Sequence, residues 1–248
     1  MEIRWSKHDN LSSTNLLVSD LLKHQKPKEG LVVVADYQEA GKGQGAKSWH
    51  SRKGENLLMS LLLFPAFLSA SNQFQISRVV SVSLCEVLDE LGATPVIKWP
   101  NDILTSRGKI AGILIENGIS GGKISHTIAG IGMNVNQSDF PEFPQPASSL
   151  FLETGRKTVP QELAEILVER IMIRYQKLKE GDEHALEKEY LGRLFRLGKP
   201  SLFETGGVIF EGIIRGVSEF GELLVEVEGE LASYGHGEIA LKVAHQAK

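Results

Sequence analysis

Two runs of this chain, LVVVA at Leu31–Ala35 and NLLMSLLLF at Asn56–Phe64, are apolar without alternation. A strand with one wet face alternates polar and apolar residues, whereas a run apolar on both faces needs packing on both sides. The chain is therefore expected to build a sheet covered above and below, with Leu31–Ala35 a central strand. The two strands are joined by a segment of different character. Three glycines and two lysines fall within Gly41–Lys47, and an indole follows at Trp49. Glycine adds no bulk and tolerates positive φ, so such a loop lets backbone N–H and ammonium groups approach an anion closely.

Two familiar phosphate motifs do not fit this loop. A P-loop, G-x-x-x-x-G-K-[ST] opening a helix, counted from Gly41 ends in Ala46-Lys47-Ser48 and so misses a glycine. The dinucleotide pattern G-x-G-x-x-G also fails at Ala46. Both need a helix next, and a strand follows instead, so no helix N-terminus would face phosphates. Taken alone the segment reads as a flexible surface loop; other parts of the chain must assign it.

In chain order, Glu2–Trp5 reads as a strand and Ser12 or Ser13 as the cap of a helix ending near His24. Lys26–Gly30 is a turn. Ser71 or Asn72 is placed to cap a helix carrying Val80, Leu84, Val87, Leu88 and Leu91 on one face and stopped by Gly92. Pro95–Trp99 reads as a strand halted by Pro100-Asn101-Asp102. Lys109–Glu116 and His126–Val135 read as a hairpin linked through Asn117–Lys123. Thr158 to Gln161 has capping-box spacing before a helix bearing Leu163, Leu167, Ile171, Tyr175 and Leu178, broken near Gly181 and ending near Leu191. From about Gly198 short β-rich runs (Val208–Val217, Leu223–Val227, Ile239–Val243) alternate with glycine turns. The fold class is thus α+β with a small appended β-barrel, divided as residues 1–195 and 196–248.

Composition bounds the function classes. With 248 residues, 42% hydrophobic, 23% charged and a formal net charge of −4, the chain is globular and carries no global attraction for nucleic acid or anionic membrane. The single cysteine, Cys85, falls in an apolar helical pattern and reads as a buried thiol. The N-terminus lacks an apolar signal-peptide core, and no run is long enough to span a bilayer, so a reducing compartment, the cytoplasm, is expected.

Five clusters sit at strand ends or at a helix start: Ser13-Thr14-Asn15, the loop after Ala35, KWPND at Lys98–Asp102, RGKIAG at Arg107–Gly112, and GIGMNVN at Gly130–Asn136. KWPND followed by GKIAGILIE and GIGMNVN, in that order after a glycine loop, closely resembles the biotin protein ligases over nearly the whole chain. The resemblance implies a mixed-sheet catalytic domain related to class II aminoacyl-tRNA synthetases and an SH3-like C-terminal barrel. It implies ATP-dependent attachment of biotin to one lysine of a biotin carboxyl carrier protein through biotinoyl-5′-AMP, with release of pyrophosphate. The form implied is monofunctional, without the DNA-binding domain that some relatives add, so no DNA binding is expected and a homodimer is compatible. Cofactors are ATP and Mg²⁺; no metal-ligating cluster is read from the residues.

By the same resemblance Lys109 is the cation between the biotin carboxylate and the α-phosphate, with Asn101 and Asp102 beside phosphate, Mg²⁺ or the incoming amine. Ser13, Thr14, Asn15 and Gln38, with Gly41, Lys42, Gly43, Gln44, Lys109 and Gly112, match biotin-binding positions; neutral donors and acceptors suit an uncharged cyclic urea. Lys42, Lys47, Trp49, Asn101, Lys109 and Asn134 match adenylate-binding positions, Asn134 at the adenine edge. The loop departs from the family's G-[RK]-G-[RQ]-x-G-x-x-W: Gly45 stands one place early, Ala46 takes the last glycine's place, and Lys42 and Gln44 stand where many members carry arginine. An acyl adenylate hydrolyses readily, so Gly41–Gly54 is expected to close over it as a lid. Alternatives are a lipoate or octanoate ligase, a biotin-sensing transcriptional regulator and a catalytically dead binding protein.

Overall fold

The computed structural model describes residues 2–45 and 47–242. Ala46 and the end of the expected strand at Val243 lie outside them. A seven-stranded mixed sheet forms the larger part: β1 (Arg4–His8), β2 (Leu31–Ala35), β3 (Leu57–Leu63), β4 (Val96–Lys98), β5 (Asp102–Thr105), β6 (Gly108–Ser120) and β7 (Lys123–Met133), in the order β1-β2-β3-β7-β6-β5-β4. β1 and β2 are parallel, and every other neighbouring pair is antiparallel.

The unbroken apolar runs are covered as their composition requires. All seven residues of β3 are buried. Val32, Val34, Leu61 and Leu63 pack into the main core with α2 (Phe74–Glu90), α4 (Pro160–Lys179) and α5 (Glu183–Gly192). Val33 and Leu62 point the other way, onto Val18 of α1 (Thr14–His24). Each such leucine contributes on the order of 2 kcal/mol by burial. Cys85 sits inside α2 with no exposure, and burial pushes its thiol up to about 12.

Several boundaries differ from the sequence reading. β1 is Arg4–His8 rather than Glu2–Trp5. The β6–β7 hairpin is longer than expected: Asn117–Ser120 continue β6, and only Gly121-Gly122 turn, both at positive φ as a two-residue turn of that hand requires. β5 follows the Pro100 turn directly, and a short helix α3 (Leu150–Thr154) was not expected. None of the expected side-chain caps forms. Ser13 holds the cap position of α1 without a cap bond, and the N–H of Thr14 beside it donates to Gln38 Oε1 at 2.7 Å. Gln73 and Val159, rather than Ser71 or Asn72 and Thr158, precede α2 and α4.

From Pro200 a second sheet begins: β8 (Pro200–Thr205), β9 (Val208–Val217), β10 (Leu223–Val227), β11 (Glu230–Tyr234) and β12 (Ala240–Lys242), in the order β11-β10-β9-β8-β12. β8 and β11 are additional to the expected strands, and among the described residues β11 and β12 do not pair, so the sheet is open. Its inner residues Phe203, Ile214, Val217, Leu223 and Val225 join the main core. Polar ties reinforce the junction: Trp99 Nε1 donates to Gly221 O (2.9 Å) and the buried Arg78 guanidinium to Val217 O (3.3 Å).

Candidate active site

A cavity of about 680 Å³ opens on the α1 side of the large sheet and is walled on one flank by the second sheet. That volume is typical of sites that enclose a small molecule. Its floor is set by pairing register. β6 and β7 bring Gly112 opposite Gly132 and Leu114 opposite Gly130, while β3 places Ser60 opposite Gly130 and Leu58 opposite Gly132. Period-two alternation therefore puts Gly112, Gly130, Gly132 and Ser60 on one face.

Each of these glycines clears space for a site side chain. A Cβ on Gly130 would lie 2.4 Å from Asn15 Oδ1. On Gly132 it would lie 2.5 Å from the Trp49 indole; on Gly112, 3.1 Å from that ring and 3.3 Å from Lys109 Nζ. The motifs GKIAG and GIG thus leave a smooth floor on which Asn15, Trp49 and Lys109 converge.

Lys109 and Asp102 form an ion pair at 2.6 Å, both partly open to the cavity, and the Lys109 ammonium lies 5.5 Å from the centroid of the Trp49 ring. Lys47 and Lys98 line the same space. Lys98 Nζ donates to Gln145 Oε1 at 2.6 Å. Burial holds the Lys98 ammonium below its ordinary range; Asp102 opposes this, and Lys109 and Lys47 add to it. Lys42 lines the cavity too, and four lysines against one carboxylate make it a receptor for anionic charge.

The opposite end of the cavity is neutral. Ser13, Thr14 and Asn15, each nearly fully buried at the start of α1, meet Gln38 from the loop after β2. The glycine loop is a tight hairpin: Trp49 N donates to Gly41 O and Gly43 N to Lys47 O, each at 2.8 Å, with Lys42 bridged to Ser48. Gly45, at φ +67°, is the left-handed residue at its tip, which gives a conformational reason for glycine standing there. Gln44 Nε2 reaches Nδ1 of His236, in the turn between β11 and β12, at 2.6 Å, and His236 packs edge-on against Trp99, its centroid 5.1 Å away. Burial lowers the His236 pKa.

The cavity brings together Ser13, Thr14, Asn15, Gln38, Lys42, Gly43, Gln44, Lys47, Trp49, Asn101, Asp102, Lys109 and Gly112, all singled out from sequence. Two expected residues depart from it. Asn134 is buried outside the lining, its amide donating to Ser148 O at 2.9 Å, so it anchors the segment before α3 rather than facing a base. Gly41 lies on the far side of the loop, packed against Trp49 O, and lines a separate groove with Tyr37 and Arg52. Asn101 lines the cavity, yet its Nδ2 donates to Ile113 O at 2.8 Å and so pins the turn that presents Asp102. Ser60, Lys98 and His236 were not assigned roles from sequence.

A cluster of cations beside a neutral, hydrogen-bonding pocket suits a ligand that is anionic at one end and uncharged but polar at the other. Residues 8–134 match the family model described as the biotin/lipoate A/B protein ligase family, and the chain belongs to that family. Among curated relatives it is 40% identical over 154 residues to the bifunctional ligase/repressor BirA of Bacillus subtilis, covering 60% of this chain and 47% of that one. It is 31% identical over 201 residues to the biotin--[acetyl-CoA-carboxylase] ligase of Paracoccus denitrificans, covering 78% and 82%. The chain spans about half the length of the two Bacillus relatives. Among solved structures, the biotin protein ligase of Aquifex aeolicus in complex with biotin and ATP superposes with a TM-score of 0.79 at 29% identity, covering 96% of this chain and 98% of that one. No helix among the described residues is long and apolar enough to cross a membrane.

Proposed function

We propose that the chain is an ATP-dependent biotin protein ligase that forms biotinoyl-5′-AMP and transfers the biotinoyl group to one lysine of a biotin carboxyl carrier domain. The observation that carries this reading is the single cavity in which the Lys109–Asp102 pair and Lys47 and Lys98 stand at one end and the neutral Ser13–Asn15 and Gln38 group at the other. In the first half-reaction a biotin carboxylate oxygen attacks the α-phosphorus of ATP, and the bond to pyrophosphate breaks. Two unit anions at 4 Å repel by about 4 kcal/mol at an effective dielectric of 20, so fixed cations are needed for the approach. Lys109 supplies the central one, leaving Asp102 for the phosphates. In the second half-reaction the deprotonated carrier amine attacks the acyl carbon, and the bond to AMP breaks.

Mg²⁺ would arrive with ATP and offset phosphate charge, and Asp102 and Asn101 are the residues that would help to hold it. The Gly41–Gly54 segment acts as a lid, latched through Gln44 and His236, and Trp49 lies against the nucleotide. We retain the SH3-like assignment of the second sheet, the division at 195/196, the relation of the large sheet to class II synthetases, a homodimer and a cytoplasmic setting as parts of this proposal. The lipoate reading, also within the family, is disfavoured by the hydrogen-bonding pocket, since a dithiolane ring offers nothing for it to bond.

Pyrophosphate release from ATP is expected to depend on biotin and not on lipoate; release with lipoate alone would reverse the assignment. Gly130→Ala forces Asn15 out of its seat and is expected to raise the KM for biotin about tenfold with little effect on that for ATP, as read in the same assay. The lowered pKa of Lys98 means that its charge is lost earlier than usual as pH rises. ATP affinity is therefore expected to fall on the alkaline side, and Lys98→Arg, which keeps its charge, to move that fall to higher pH in a titration of KM against pH.

A further inference from the structure

The neutral end of the cavity rests on a buried chain of hydrogen bonds whose proton directions can be counted. Asn15 Nδ2 lies 2.6 Å from Glu116 Oε2 on β6, which fixes the amide with its oxygen turned inward. Asn15 Oδ1 lies 2.5 Å from Ser60 Oγ, and Ser60 Oγ lies 2.7 Å from Thr14 Oγ1. Thr14 Oγ1 in turn lies 3.1 Å from Gln38 Oε1, whose orientation is fixed by the Thr14 N–H it accepts.

A hydroxyl has one hydrogen to donate. Asn15 Oδ1 can only accept, so the Ser60 hydrogen goes there. Ser60 is fully buried, so no water bridges its oxygen to Thr14, and the Thr14 hydrogen closes that contact. Nothing remains between Thr14 Oγ1 and Gln38 Oε1. The longest contact of the chain is therefore a pair of oxygens with no hydrogen between them, Gln38 Oε1 keeping one acceptor site beyond the Thr14 N–H it already takes, and both residues line the cavity, while Gln38 Nε2 is left as a donor beside Gly41. Such a pair repels until a ligand N–H enters between or against its members.

We propose that Ser60, aligned by Asn15 and Glu116, is a positioning residue that sets the hydrogen-bond polarity of the head-group pocket, holding Thr14 and Gln38 as acceptors for the N–H groups of a cyclic urea. This rests on the biotin reading and deepens it. The complementary ligand has N–H groups toward Thr14 and Gln38 Oε1, and a carbonyl toward neighbouring donors. Without the Ser60 oxygen, the Thr14 hydroxyl turns to Gln38 Oε1 and closes the acceptor pair within the protein.

The test is calorimetric binding to the full chain of biotin and of its two cyclic carbamate analogues, in which one or the other ring N–H is replaced by oxygen. For the wild type, biotin is expected to bind and at least one carbamate to bind more weakly. Ser60→Ala is expected to weaken biotin about tenfold, while leaving the affinity for the carbamate that lacks the recognised N–H within about twofold. Glu116→Leu, an exposed position where folding is not at stake, is expected to shift the same ratio in the same direction to a smaller extent. If Ser60→Ala weakens biotin and both carbamates equally, or leaves biotin unchanged, the polarity role is overturned while the biotin reading stands. If the wild type binds no biotin, the biotin reading itself fails.

Discussion

Lys109→Ala is expected to lower biotin-dependent pyrophosphate release by about a thousandfold, which corresponds to about 4 kcal/mol of lost transition-state stabilisation. The expectation follows from where the side chain sits. Lys109 reaches over the glycine floor, paired with Asp102 at 2.6 Å, with the Trp49 ring alongside. Removing it leaves Asp102 as an uncompensated anion in the space that two further anions must enter, so the substitution adds repulsion as well as removing attraction. Lys109→Arg keeps the charge but brings a wider planar head group, and partial recovery, to within about a hundredfold, is expected. Initial-rate measurement of pyrophosphate checks both, and an unchanged melting temperature shows that the loss is chemical. Adenylate formation by Lys109→Ala at the wild-type rate would remove the residue from the mechanism.

The second large effect is expected at Gly132. Its missing Cβ is the seat of the Trp49 indole, with 2.5 Å to the nearest ring atom, and the backbone beneath is paired to both β3 and β6 and cannot yield. Gly132→Val should expel the indole from the floor and occupy the cavity itself, abolishing measurable activity. Trp49→Ala should lose less, because it removes a wall without filling the space. The double variant Gly132→Val with Trp49→Ala should regain activity relative to Gly132→Val alone, a non-additivity expected of residues in direct contact. Full activity in Gly132→Val would contradict the floor as described.

Much of this arrangement is visible in the sequence, because the strands are written in composition. Leu31–Ala35 and Asn56–Phe64 leave no wet face, and the structure covers both. The motifs with chemistry were legible only together: a lone lysine or glycine at a strand end has a structural reading as readily as a functional one, and it is KWPND, GKIAGILIE and GIGMNVN in that order that carry the resemblance to the biotin protein ligases. The helix caps were not legible. Ser13 holds the cap position without a cap bond, and the Thr14 N–H beside it is met by Gln38, 24 residues further on. No local spacing encodes that contact. Asn134 fits a ligand-reading position by motif, yet its amide is taken by Ser148 O, a partner brought close only by the fold.

Ser60 is the instructive omission. It is the one polar side chain in the fully buried Leu57–Leu63 strand, and a lone hydroxyl there must have a partner. That signal stood in the sequence, masked by the leucines around it. His236 could not have been found in the same way. It lies in the turn between β11 and β12, and its meeting with Gln44 depends on how the second sheet docks beside the cavity.

The most direct test of the account is the mass of a biotin carboxyl carrier domain after incubation with the purified chain, biotin and MgATP. The predicted result is an ATP-dependent gain of one biotinoyl group on a single lysine, absent with Lys109→Ala. A carrier domain left unmodified under these conditions, while a lipoyl domain offered lipoate gains a lipoyl group, would contradict it.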